Sequence, residues 1–144
     1  MENSDNVIPA SNSVMAKNLY VLGQLFYNED YLRMASQMFH NMKADMLEHT
    51  SYYANWAYLA CWLAEEPFEV AIVGEDFEKI RQQFDEYYLP NALLLGGKNQ
   101  GSLPLLENKL VHGQTTIYIC RKKTCKLPVT TIKDALNQME TVKR

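Results

Sequence analysis

The chain has 144 residues, 47% hydrophobic and 22% charged, with a formal net charge of -3. That length suits one ordinary domain or two small units sharing a core. The acidic balance excludes a broadly basic nucleic-acid binder and confines any anion site to a local patch, and no apolar run approaches the roughly 20 residues that span a bilayer.

The opening Met1-Glu2-Asn3-Ser4-Asp5-Asn6 is polar, without the basic and apolar regions of a secretory leader. Residues 1–8 read as a disordered terminus, and the expected location is cytoplasmic. Three cysteines, an odd number, argue against a secreted disulfide framework. Nine tyrosines, five phenylalanines and two tryptophans argue for a packed chain.

Residues 9–66 read as a helical region. Pro9 to Ser13 is punctuation, with Asn12 or Ser13 as a helix cap. Met15, Leu19, Leu22 and Phe26 then recur at helical spacing and predict a buried stripe, broadened by Val14, Val21 and Leu25. Asn28-Glu29-Asp30 marks a turn and a second start, with acids near the positive end of the helix dipole. Tyr31, Ala35, Met38, Met42 and Met46 form the next stripe, so the two helices predict an antiparallel hairpin. A third helix over 51–64 is apolar nearly all round and needs cover on more than one side. Cys61 reads as one of its packing residues.

At Glu65-Glu66-Pro67 the period changes, and 67–144 reads as a small α/β region. Phe68 to Val73 is a strand ending at Gly74. Phe77, Ile80, Phe84 and Tyr87 predict an amphipathic helix stopped by Pro90, and Ala92 to Leu95 a second strand. This is the order of a βαβ crossover. The segment 98–114 is mostly loop, with a helical turn at 103–109. The fold class is therefore mixed α and β, a helical hairpin region followed by a small α/β unit.

The third strand is the most individual stretch. Ile117 and Ile119 face one way, and Thr116, Tyr118 and Cys120 the other. Arg121, Lys122, Lys123 and Lys126 follow in a basic loop that ends at Cys125 and Pro128. A last helix starts near Thr130 or Thr131, with Asp134 placed for a capping box; Lys143 and Arg144 suit its negative end.

Cys120 and Cys125 admit three readings. They are a core thiol and a loop thiol of structural importance, a redox pair whose thiolate is favoured by nearby cations, or part of a metal site. Two thiols and His112 fall short of the about four ligands that zinc takes, so neither metal nor cofactor is expected. Arg121, Lys122, Lys123 and Lys126 are candidate anion-binding residues, or a solvated loop tip; a weaker alternative is a phosphorylated or sugar ligand bound near Gly74, Gly96 and Arg121. Gly96-Gly97-Lys98 and Gly74-Glu75-Asp76 lack the order of a phosphate loop or dinucleotide fingerprint. Adjacent acids such as Glu65-Glu66 point in different directions and are not poised as an acid/base pair.

Two stretches carry a resemblance. One runs from Pro9 to Leu19, through Leu22-Gly23 to Tyr31-Leu32-Arg33-Met34-Ala35. The other joins Tyr87-Tyr88-Leu89-Pro90-Asn91 with Ile117 to Arg121 and Cys125-Lys126-Leu127-Pro128-Val129. Together they resemble the C-terminal end of the YyaL-like, spermatogenesis-associated family of thioredoxin-domain-containing proteins. The most specific part is Cys120, Arg121, Cys125, Pro128 and Val129. The resemblance covers nearly the whole chain. It implies that 13–64 are the last helices of an (α/α)6 toroid of the six-hairpin glycosidase kind, in a parent with a carbohydrate-related fold. The thioredoxin-like domain and most of the toroid are not represented, so no catalytic residue is carried over. The expected role is a non-catalytic structural or interaction module. Its partner would be the rest of such a parent or a second copy through the apolar helices, and neither nucleic acid nor membrane is expected.

Overall fold

The computed structural model describes residues 3–5 and 7–140. The chain divides into two units, Met1–Glu65 and Glu66–Arg144. The fold is mixed α and β, with five α-helices and one four-stranded mixed sheet among the described residues. No helix among those residues is long and apolar enough to cross a membrane.

In the first unit, α1 (Ser11–Phe26) and α2 (Glu29–Glu48) form a helical hairpin. Tyr27 takes a left-handed φ of 53° and ends α1, and the Asn28 amide returns to Gly23 O at 2.9 Å. The Asn28 side chain then accepts from the Tyr31 amide at 3.1 Å and caps α2, at the turn and start expected over Asn28-Glu29-Asp30. Gly23 is needed at the turn because a Cβ there would lie 2.7 Å from the Leu32 side chain. A 3-10 turn over Thr50–Tyr52 leads to α3 (Ala54–Ala64). The helix expected from Ser51 therefore starts three residues later.

The start of α1 differs from expectation. Neither Asn12 nor Ser13 is the cap; the helix follows Ala10, and Asp5 does the capping work. Its Oδ1 accepts from the Ala10 amide at 2.9 Å and the Ser13 hydroxyl at 2.8 Å, and Oδ2 accepts from the Asn55 amide at 2.8 Å. The Asp5 amide donates to Tyr52 O at 2.7 Å. The Trp56 indole donates to Asn3 O at 2.8 Å. The disordered terminus predicted for 1–8 is thus corrected at residues 3–5, which are tied down by a buried carboxylate that no local periodicity announces.

The buried face of α1 also differs. It carries Ser13, Ala16, Tyr20, Gly23 and Gln24. The Tyr20 hydroxyl donates to Trp62 O at 3.0 Å and accepts from Gln24 Nε2 at 3.1 Å, so these polar groups are satisfied inside. Tyr20 and Trp62 stack with centroids 5.7 Å apart. Of the predicted stripe, Met15, Leu22 and Phe26 are exposed, as is Val14. In α3, Trp56, Leu59 and Trp62 are buried. Cys61 is exposed rather than a packing residue.

In the second unit the sheet order is β2-β1-β3-β4. β1 (Phe68–Val73) pairs in parallel with β2 (Ala92–Gly97) and antiparallel with β3 (Thr116–Arg121), which pairs antiparallel with β4 (Thr124–Cys125). Every residue of β1 is buried, because the sheet is covered on both faces. One face holds Phe68, Val70, Ile72, Ile117 and Ile119 against α4 (Phe77–Phe84) and α5 (Ile132–Glu140) through Phe84, Ala135 and Met139. The other holds Ala71, Val73 and Cys120 against Leu105 and Leu106 of the long connection. The alternation expected for β3 is therefore observed.

α4 ends at Phe84, before the Tyr87 that the periodicity included. Thr131 caps α5: its hydroxyl accepts from the Asp134 amide at 3.2 Å and donates to the Asp134 carboxylate at 2.7 Å. Lys143 and Arg144 lie outside the described residues. Gly74, at φ 137°, turns the chain where a Cβ would meet Thr115 Cα at 2.5 Å.

Candidate functional site

The basic loop expected between β3 and α5 is a β-hairpin. Arg121 opposes Thr124, and Lys122 and Lys123 form the two-residue turn. Both turn residues have left-handed φ, 52° and 62°, as a primed hairpin turn requires, although neither is glycine or asparagine. The strong turn dipeptides are absent, which hides the hairpin from a sequence reading. Past the hairpin, Val129 returns to bridge Ile117, with the Ile117 amide donating to Val129 O at 2.7 Å and the Val129 amide to Ile117 O at 2.9 Å.

This turn brings Cys120 and Cys125 face to face. They are disulfide-bonded, with Cα atoms 3.8 Å apart. The Lys126 amide donates to Ile119 O at 2.9 Å, so Cys120 and Cys125 form the adjoining non-hydrogen-bonded pair, where opposed residues approach most closely. The two residues have unequal surroundings. Cys120 is 1% exposed and belongs to the core, whereas Cys125 lies on the exposed β4. A nucleophile from solvent therefore meets Cys125 first.

The four cations do different things. Arg121 Nε donates to Glu66 O at 2.8 Å, and its guanidinium carbon lies 4.3 Å from the Phe68 ring centroid. Lys126 Nζ donates to Gln138 O at 2.6 Å near the end of α5. The Gln138 side chain donates back to Leu127 O at 2.9 Å. Lys122 and Lys123 occupy the exposed turn. Arg121 and Lys126 thus fasten the hairpin to its surroundings in two separate places.

One residue of the site escaped the sequence reading. Glu69 is the second residue of β1 and is 2% exposed. It pairs in register with Cys120 on β3, and it shares the face that carries Ala71, Val73 and Cys120. Burial pushes its carboxyl above the usual carboxylate range; the Lys123 backbone N–H bonded to it pulls the other way, Glu66 adds to the rise, and Lys123 and Lys109 oppose it. Its Oε2 has no hydrogen-bond partner among the described residues. The available signal was a lone acid inside the run Phe68-Glu69-Val70-Ala71-Ile72-Val73.

A concavity of about 260 Å³ opens at the ends of β1 and β2 and is lined by Gly74, Glu75, Asp76, Lys98, His112 and Thr115 among others. Because β3 runs antiparallel to β1, Arg121 lies at the opposite end of the sheet. The structure does not bring Gly74 and Arg121 into one site. No group of three or more His, Cys, Asp or Glu side chains suited to a metal occurs among the described residues. Comparison of the chain with protein-family models, with curated proteins and with solved structures returns no match.

Proposed function

We propose that this chain is a non-catalytic structural or interaction module whose helical unit packs against further helices of a larger α/α assembly. The observation that carries this reading is the row Val14, Met15, Leu22 and Phe26 along α1, each at least 39% exposed. These positions fall within one arc of a 3.6-residue helix. A helix that turns Ser13, Tyr20 and Gln24 inward and an apolar row outward has its polar groups satisfied and its apolar face uncovered. The resemblance to the YyaL-like family supplies the occupant: preceding hairpins of an (α/α)6 toroid in a thioredoxin-like parent with a carbohydrate-related fold.

The test is dye binding and mass measurement on the chain alone. The chain should bind an apolar fluorescent dye or self-associate with rising concentration. The triple variant Met15→Lys, Leu22→Lys, Phe26→Lys should lose both behaviours while keeping its helical circular dichroism. A stable monomer that binds no dye sinks the reading.

A second reading is favoured by the Cys120–Cys125 bond: the hairpin is a thiol–disulfide site attacked at Cys125, the residue on the exposed β4. Mass spectrometry after alkylation without reductant should show the pair two hydrogens short of the dithiol. Two alkylated thiols at Cys120 and Cys125 in protein handled without reductant would remove it.

A further inference from the structure

We propose that Glu69 is the proton partner of Cys120, delivering a proton to its sulfur when the Cys120–Cys125 bond is reduced and taking it back when the bond re-forms. This rests on the thiol–disulfide reading of the hairpin.

The geometry assigns the roles. Cys125 lies on the exposed β4 and Cys120 in the core, so an external dithiol attacks at Cys125 and Cys120 is the leaving group. Cys120 lies in an apolar cluster with Ala71, Val73, Leu105 and Leu106. A bare thiolate there is strongly disfavoured, so departure needs a proton at the same place. The backbone places one ionisable side chain directly across from it, because Glu69 and Cys120 are register partners on one face of the sheet. Such opposed residues carry their Cβ atoms roughly 4.5–5.5 Å apart. The Lys123 amide from the hairpin turn bonds the Glu69 carboxyl, which fixes that group beneath the hairpin, while Oε2 stays without a partner among the described residues. The remaining charged groups acting on Glu69 are Glu66, Lys123 and Lys109. The apolar neighbour on the β2 side is Leu93. Tyr118, two residues before Cys120 on β3, uses its hydroxyl to donate to Lys109 O at 3.0 Å.

A thiolate of the dithiol forms a bond to Cys125 Sγ. The Cys120–Cys125 bond breaks and its electron pair stays on Cys120 Sγ. The proton passes from the Glu69 carboxyl to that sulfur, leaving a carboxylate that the Lys123 N–H stabilises and solvent later reprotonates. The second thiolate of the reagent closes on the first, and Cys125 departs as a thiolate. Two electrons have moved from the dithiol to the protein.

The experiment is the rate of reduction of the full chain by dithiothreitol, quenched by alkylation and read by mass, between about pH 5 and 9. Rates are expressed per reagent thiolate, which removes the titration of the reagent itself. In the wild-type protein this corrected rate should fall as Glu69 loses its proton. In Glu69→Gln it should be independent of pH, and slower than wild type at the acidic end by about 100-fold, the low side of what a positioned acid contributes. A flat corrected profile in the wild type overturns the proposal without reference to any variant, so a Glu69→Gln chain that does not fold leaves the test intact. A sloping profile retained in Glu69→Gln also overturns it. An absent disulfide at the start is a different failure, that of the thiol reading itself.

Discussion

Asp5 accepts a hydrogen bond from the backbone amide of Asn55, 50 residues further along the chain, at 2.8 Å. Its other oxygen holds the Ala10 amide and the Ser13 hydroxyl at the start of α1. One carboxylate therefore joins the entry of the first helix to the entry of the third. Asn55 extends the join, donating to Ser13 Oγ at 2.9 Å and accepting from Lys17 Nζ at 2.7 Å.

Replacing Asp5 by Ala strands two backbone donors at once, while the Ser13 hydroxyl keeps Ala10 O as an acceptor at 2.9 Å. Each buried donor left unpaired costs about 1–3 kcal/mol, and partial access of water lowers the sum. The expected loss is about 3 kcal/mol for the helical unit. Trp56 and Trp62 both lie in α3, so tryptophan fluorescence during urea unfolding reports this unit. An unchanged midpoint in Asp5→Ala would show that the bonds contribute nothing net.

Reducing the Cys120–Cys125 bond should destabilise the α/β unit by about 2 kcal/mol, the loop-closure contribution for so short a loop. The comparison is urea unfolding of the oxidised and reduced chain, followed by circular dichroism of the sheet. Cys125→Ala should unfold like the reduced protein, since Cys125 is exposed and Cys120 keeps its core position. Equal midpoints for all three forms would contradict this.

The turn residues Lys122 and Lys123 hold φ values of 52° and 62°, a region costly for a residue with a Cβ. Lys123→Gly should raise the stability of the α/β unit by about 1 kcal/mol while keeping the amide that bonds Glu69. Lys122→Asn should raise it by a smaller amount. A drop in either variant would mean that the lysine side chains contribute more than the backbone conformation costs.

Glu69 makes stability depend on pH with a definite sign. Burial raises its carboxyl pKa in the folded state above the unfolded value. Between those two values the folded chain binds more protons than the unfolded one, so stability falls as pH rises. The contribution is fully present below the ordinary carboxylate value and is lost by the time pH passes the raised one. Glu69→Gln should remove this part of the slope. Chemical denaturation at a series of pH values checks it, and identical slopes in the two proteins would contradict the assignment.

Local chemistry was legible from the sequence wherever a few neighbours decide the outcome. The helix start at Asn28-Glu29-Asp30, the Thr131–Asp134 cap and the in-and-out alternation of β3 all follow from side chains within about four residues of one another. The change of period at Glu65-Glu66-Pro67 lies where the chain divides. Other features required the tertiary structure. Periodicity marked an apolar row on α1, but which row is covered depends on where α2 and α3 lie, and they cover Tyr20 and Gln24 instead. Asp5 looked like part of a loose end because its partner amide is 50 residues away. Cys120 and Cys125 were visible as a pair, yet their bond depends on a hairpin turn made by two lysines in a conformation that their side chains disfavour. Glu69 gained its meaning only when β3 placed Cys120 across from it, because strand pairing joins residues that no local window contains.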